Sequence, residues 1–242
     1  MIKLKRTLAL WLVIALPAVI VFLFFLNYLQ RGEFLVPKDA DRWMWLAQNV
    51  FVLWSMVFLP LFIALEAALV SGLEHSQKNW KHLFALPVPR WRLYAAKLLA
   101  VLAVVGLGQI AIWGCTMLAG LGLRFLKPGL GFGTSFPWLR ILEGSLEVYL
   151  ASWLIVGIHT WISIRWPNFV LSIAVAVVAV MGGLIMSNTE LWRFYPWSLP
   201  ATVARGFIGG GEAQLLAMVV GVAGAVIVGI AGCWEAARRD VL

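Results

Sequence analysis

Few residues in this chain could do chemistry, and they are scattered. Of the three histidines, His75 and His82 stand seven apart and share one side of a helix. Without a cysteine or a third ligand they make a poor metal site. His159 lies in an apolar stretch about a turn and a half before Arg165, where a hydrogen-bonded packing histidine competes with a role in a pathway. Cys115 and Cys233 sit inside apolar runs and read as small packing residues. The glycine run Gly209-Gly210-Gly211 is followed by Glu212, which repels phosphate, and no phosphate loop ending in Lys-Ser or Lys-Thr is present. There is no His-Glu-x-x-His pair and no Gly-x-Ser-x-Gly elbow. The notable carboxylates are Glu66 and Glu147, each within an apolar run. Glu66, Glu147 and His159 are therefore the candidate pathway or gating residues. An ionised side chain in mid-bilayer is costly, so Glu66 faces a cavity or partner, or is protonated, or lies near an interface beside a basic residue. Glu147, with Arg140 and Glu143 on adjacent turns, also fits a polar helix entrance.

The elements that must position these residues follow from hydropathy. The 242 residues are 62% hydrophobic and 12% charged, far from the roughly 25% charged of soluble domains. At about 20 residues per crossing, six apolar runs read as spans: 8–28, 45–72, 93–123, 144–164, 169–187 and 214–234. The expectation is an all-α polytopic membrane protein, a single transmembrane domain over 1–242 with no attached catalytic domain. The first run exceeds the apolar core of a cleaved signal peptide and is expected to stay. Pro17 and Pro60 are candidate kinks, since proline removes a helical hydrogen bond. In the last span Ala217, Gly221, Ala225, Gly229 and Cys233 recur every fourth residue. Such a small-residue ridge lets helices approach closely, within the subunit or across a dimer seam.

Charge orients the layout. The net charge is +8, with no basic stripe or soluble fold for nucleic acid. With both termini inside, eleven basic residues fall on inner segments and eight on outer ones, a modest positive-inside bias. The short turn Arg165-Trp166-Pro167-Asn168 joins two spans with no room for more. Trp43, Trp45, Trp80, Trp91, Trp138, Trp166, Trp192, Trp197 and Trp234 fall at span ends or loops, where an indole anchors at the headgroups.

One connection is more specific. From Glu74 to Leu86 the pattern is a short amphipathic helix, with Leu73, Trp80, Leu83, Phe84 and Pro87 toward one side. Glu74, Lys78, Lys81 and His82 form the other. Such a helix lies in the interface plane. Pro87 and Pro89 stop it by pushing Leu86 and Val88 out of the helical region, and a new helix starts near Arg90. A loop that only set topology would need the charges but not this stop and restart.

This stretch resembles the cytoplasmic coupling segment of type-2 ATP-binding-cassette exporter permeases, especially the bacitracin- and lantibiotic-immunity branch. The matching residues are Glu74, Trp80-Lys81, Leu86-Pro87, Arg90, Leu93-Tyr94 and Lys97, with Pro89 where the family often has Ser or Thr. The six-span layout, the aromatic segment Leu191-Trp192 to Tyr195-Pro196-Trp197 before the last span, and the Ala236–Asp240 tail extend the likeness. It implies a permease subunit of the prokaryotic inner membrane with no catalytic, metal or cofactor site of its own. ATP and magnesium would sit on separate cytoplasmic ATPase subunits. These would be contacted through Glu74, Lys78, Trp80, Lys81, Leu83, Phe84, Pro87 and Arg90. A second permease, identical or paralogous, would complete a dimer, and the cargo would be an amphipathic peptide antibiotic or similar amphiphile. Two other classes stay open: a membrane-embedded protease or acyl transferase, which would need a converging nucleophile or metal set, and a secondary transporter carrying a proton on Glu66.

Overall fold

The computed structural model describes residues 8–37, 39–75, 89–133, 135–166, 168–187 and 189–238. All regular structure among them is helical: α1 (Leu8–Leu35), α2 (Arg42–Leu53), α3 (Leu59–His75), α4 (Arg90–Leu126), α5 (Trp138–Arg165), α6 (Phe169–Met186), α7 (Leu199–Arg205) and α8 (Glu212–Arg238). Six segments are long and apolar enough to cross a membrane: Leu10–Leu35, Arg42–Ser71, Trp91–Leu126, Trp138–Arg165, Phe169–Met186 and Glu212–Arg238. All six expected spans are present. Their helices overrun the apolar limits at several ends, because hydropathy marks where lipid stops and the backbone continues until something caps it. Thus α1 runs seven residues past Tyr28, and α5 begins at Trp138, carrying Arg140 and Glu143 above the apolar stretch. The end of the bundle where α1 starts is called the lower end here, and the opposite end the upper.

Local chemistry sets the boundaries. Asp41 caps α2, its carboxylate accepting from the backbone N–H of Trp43 (2.9 Å) and Met44 (3.3 Å). Asn168 caps α6 in the same way, through Val170 (2.9 Å) and Leu171 (3.4 Å). Each cap satisfies donors that a helix start leaves open, worth about 1 kcal/mol. The second span is one continuous rod interrupted by a wide π turn at Trp54–Phe58, where the Leu59 N–H reaches back to the Trp54 carbonyl. Pro60 follows at once and brings no N–H, so the ladder cannot keep α-helical register through it. The helical irregularity sits where Pro60 predicts it.

The core runs along α5, which packs on α3, α4, α7 and α8. The ridge on α8 faces α5 within this chain. A methyl group at Gly221 would lie 2.7 Å from the Ala151 Cα and carbonyl oxygen, so only glycine permits this approach. Leu154 fills the space over Gly224, and Gly157 of α5 meets Val228. At the lower end of the ridge the enclosed residue is Gly232, under the Tyr94 ring, while Cys233 is half-buried with its Sγ 3.8 Å from the Trp91 carbonyl.

Two tryptophans expected at the headgroups are core residues instead. Trp43 is 3% exposed and Trp192 7%. Trp43 packs edge-on against Phe132 and Phe136 and covers Gly120 of α4. The glycine leaves a hollow that the indole fills, which outweighs any headgroup preference. Trp91, Trp138, Trp166 and Trp234 are exposed at helix ends, as anchors would be.

Candidate functional site

The segment between α6 and α8, expected as an outer loop, is buried through its middle, from Ser198 to Ala204, and mostly exposed at its two flanks. Two 3-10 turns, Glu190–Phe194 and Pro196–Ser198, lead into α7, whose Leu199, Pro200, Ala201, Val203 and Ala204 are buried. The Tyr195 hydroxyl donates to the Ala179 carbonyl at 2.8 Å. Ala179 lies seven residues before the end of α6, about 10 Å into the bundle at 1.5 Å per residue. The chain therefore enters from the upper end, turns and climbs back as α7. Irregular backbone at such depth is tolerated only inside protein. Here Ser198 satisfies it, its one hydroxyl proton shared between the carbonyls of Trp192 and Tyr195.

Trp197 at the tip of this re-entrant segment meets His159. Its indole N–H donates to His159 Nε2 at 3.3 Å, with the rings edge-to-face at 82°. His159 is fully buried on α5, six residues and so about 9 Å above the lower end of that helix. To act as acceptor, Nε2 must be unprotonated, which places the imidazole in its neutral form. Beside it, Thr160 is also buried. One turn lower, the Ser163 and Ser172 hydroxyls meet at 3.1 Å, and Ser172 donates to the Ala64 carbonyl of α3 at 3.3 Å. Polar groups on α3, α5, α6 and the re-entrant tip thus line the lower half of the interior.

Glu66 stands at the base of this set. Two residues beyond Ala64, it lies level with the α5–α6 turn, near the lower limit of the apolar layer rather than at mid-bilayer. It is fully buried, and neither carboxylate oxygen has a hydrogen-bond partner among the described residues. Phe62, one turn above it, packs on Gly108 of α4, which turns that face of α3 toward α4. Its burial excludes lipid tails as the immediate environment. Glu147 is half-buried on the upper part of α5. It is far along the helix from Glu66 and His159, so the three pathway candidates do not form one cluster.

A second polar knot was not legible in the sequence. Trp54 in the π turn donates to the Gln109 side-chain oxygen at 2.6 Å, and the Gln109 amide donates to the Ser145 carbonyl at 3.1 Å. The Ser145 hydroxyl returns a bond to the Gln109 carbonyl at 3.2 Å. Three helices are tied at one level. A glutamine in an apolar run was the only available signal.

At the lower end, α5 and α8 are clamped. Arg165 pairs with Glu235 at 3.2 Å, and the other Glu235 oxygen accepts from the Trp161 indole at 2.7 Å. Here α3 is described as far as His75, and α4 starts at Arg90 with Pro89 in the N-cap position, the restart that the sequence predicts; the expected stop at Pro87 lies outside the described residues. Glu74 and His75 continue α3 rather than open a new helix. Of the expected coupling helix over 74–86, Lys78, Trp80, Lys81, Leu83 and Phe84 lie outside the described residues, as does Pro87. Arg90 is described by its backbone alone. Among the described residues no group of three or more His, Cys, Asp or Glu side chains could hold a metal ion.

No solved structure matches the chain. It is 24% identical over 160 residues to the bacitracin transport permease protein of Bacillus licheniformis, across 65% of this chain and 73% of that one. The family profile described as ABC-2 family transporter protein matches residues 1–183, which takes in the first four spans, most of the fifth and the connection between α3 and α4. With six helices able to cross a membrane and a family match over most of its length, this chain belongs to the ABC-2 family of transporter proteins, as a permease subunit.

Proposed function

We propose that this permease exports an amphipathic peptide antibiotic or a similar amphiphile from the prokaryotic inner membrane, driven by ATP hydrolysed on separate cytoplasmic subunits. The observation that carries the reading is the family match through the α3–α4 connection, supported by the likeness to a bacitracin transport permease. In this reading the lower end is cytoplasmic, and residues 74–90 seat in a groove of the ATPase. Closure of the ATPase pair then moves through α3 and α4 into a bistable dimer, with rigid-body rocking alternating access. An amphiphile would be taken from the bilayer, so affinity would come from apolar contact and orientation from a few interior polar groups. His159, Thr160, Ser163 and Glu66 are the groups the bundle offers on its lower half.

The test is co-expression with a candidate ABC ATPase subunit from the same organism. The expected result is a stable complex whose ATP turnover rises with bacitracin-like peptide. Binding of ATP at micromolar affinity by the purified chain alone would overturn the division of labour.

A further inference from the structure

Arg205, the last residue of α7, points the wrong way for a surface arginine. Its backbone carbonyl accepts from the Gln48 side chain at 2.6 Å, while its guanidinium reaches Met56 Sδ at 3.9 Å, eight residues deeper along the same span. Met56 lies eight residues above Ala64, whose carbonyl meets Ser172 near the start of α6, so it is level with the upper third of α6. A second landmark agrees: the guanidinium stacks 4.6 Å from the centre of the Trp192 ring, and that ring packs beside Gly183, three residues before the end of α6. Long basic side chains near a membrane boundary normally turn outward to water. This one extends into the apolar layer, yet the residue is exposed rather than enclosed.

Among the described residues no carboxylate stands within ion-pair distance of it, and the neighbouring Arg193 and Glu190 pair with each other at 3.4 Å. Trp192 and Met56 thus both touch an exposed cation. Leu53, three residues before Met56, and Ile208, three residues after Arg205, are exposed apolar side chains that suit an acyl chain. The guanidinium fork matches a tetrahedral oxyanion by paired hydrogen bonds.

We propose that Arg205 binds a phosphate group presented at the upper membrane boundary, beside the Trp192 ring on which its guanidinium stacks. The site is separate from the polar interior around His159 and does not rest on the transport reading.

The experiment uses the full chain in phosphatidylcholine nanodiscs containing a minority of phosphatidic acid, with co-purifying lipid counted by native mass spectrometry. The unmodified chain should retain phosphatidic acid about tenfold better than Arg205→Gln, equivalent to about 1.4 kcal/mol. Arg205→Lys, which keeps the charge but loses the fork, should fall between them, and Arg193→Gln should match the parent. Equal retention by the parent and Arg205→Gln overturns the proposal. So does equal retention of oleate and phosphatidic acid by the unmodified chain, a comparison that stands even if Arg205→Gln fails to insert. Displacement of the lipid by millimolar inorganic phosphate supports a site that reads phosphate alone. Retention against inorganic phosphate supports a lipid headgroup as the source.

Discussion

The Trp197 indole N–H meets His159 Nε2 at 3.3 Å, joining the tip of a re-entrant segment to the lower part of α5. Trp197→Phe keeps most of the packing and deletes the donor. The expected loss is about 1 kcal/mol, the net worth of one such bond, read as a lower unfolding midpoint in detergent. His159→Phe should cost a similar amount, and the double variant should cost less than the sum, because each single change removes the same interaction.

Gln109→Leu should be more damaging. It removes the acceptor of Trp54 and the donor to Ser145 together and leaves buried polar atoms unpaired, at about 1–3 kcal/mol each. Thermal unfolding checks this, with Gln109→Glu as a comparison that keeps the acceptor and loses the amide donor.

Gly221→Ala tests the α5–α8 contact. The added methyl meets the Ala151 backbone at 2.7 Å, and backbone cannot swing aside as a side chain can. Separation of the helices should cost about 1–3 kcal/mol. Gly209→Ala, where nothing stands within 4 Å, should stay within about 0.5 kcal/mol of the parent.

At the lower end, Glu235→Ala should cost more than Arg165→Ala. Glu235 accepts from both Arg165 and the Trp161 indole, whereas the ion pair alone is partly exposed and screened, worth at most about 1 kcal/mol. The comparison of unfolding midpoints decides it.

The coupling reading is tested through Trp80, Lys78 and Phe84. Buried aromatic anchors dominate such interfaces, and single rim charges contribute little. Trp80→Ala or Phe84→Ala should weaken ATPase co-purification or substrate-stimulated turnover, and Lys78→Ala should be milder. Normal assembly and stimulation in both aromatic variants, with normal insertion, would show the assignment to be wrong.

Residue types alone determined the six crossings, because the bilayer imposes one length and one polarity on every span and leaves little to context. They also placed the helix start behind Pro89, the irregularity before Pro60 and the small-residue ridge on α8, since each follows from backbone sterics acting over a few residues. Which partner a residue meets was decided by the tertiary structure. Trp43 and Trp192 have the composition of headgroup anchors, yet Gly120 opens a hollow for one, and the other packs beside Gly183 and under Arg205. Residues 190–205 look like a surface loop because they are short, aromatic and proline-rich. They dive into the bundle because Ser198 closes their backbone bonds and Tyr195 and Trp197 find acceptors on α6 and α5. Glu66 could be placed at mid-bilayer or near an interface from hydropathy, and only its register against Ser172, through the Ala64 carbonyl, fixes its level. A periodic pattern shows which face of a helix is apolar; the depth and direction at which two helices meet depend on contacts between residues far apart in the chain.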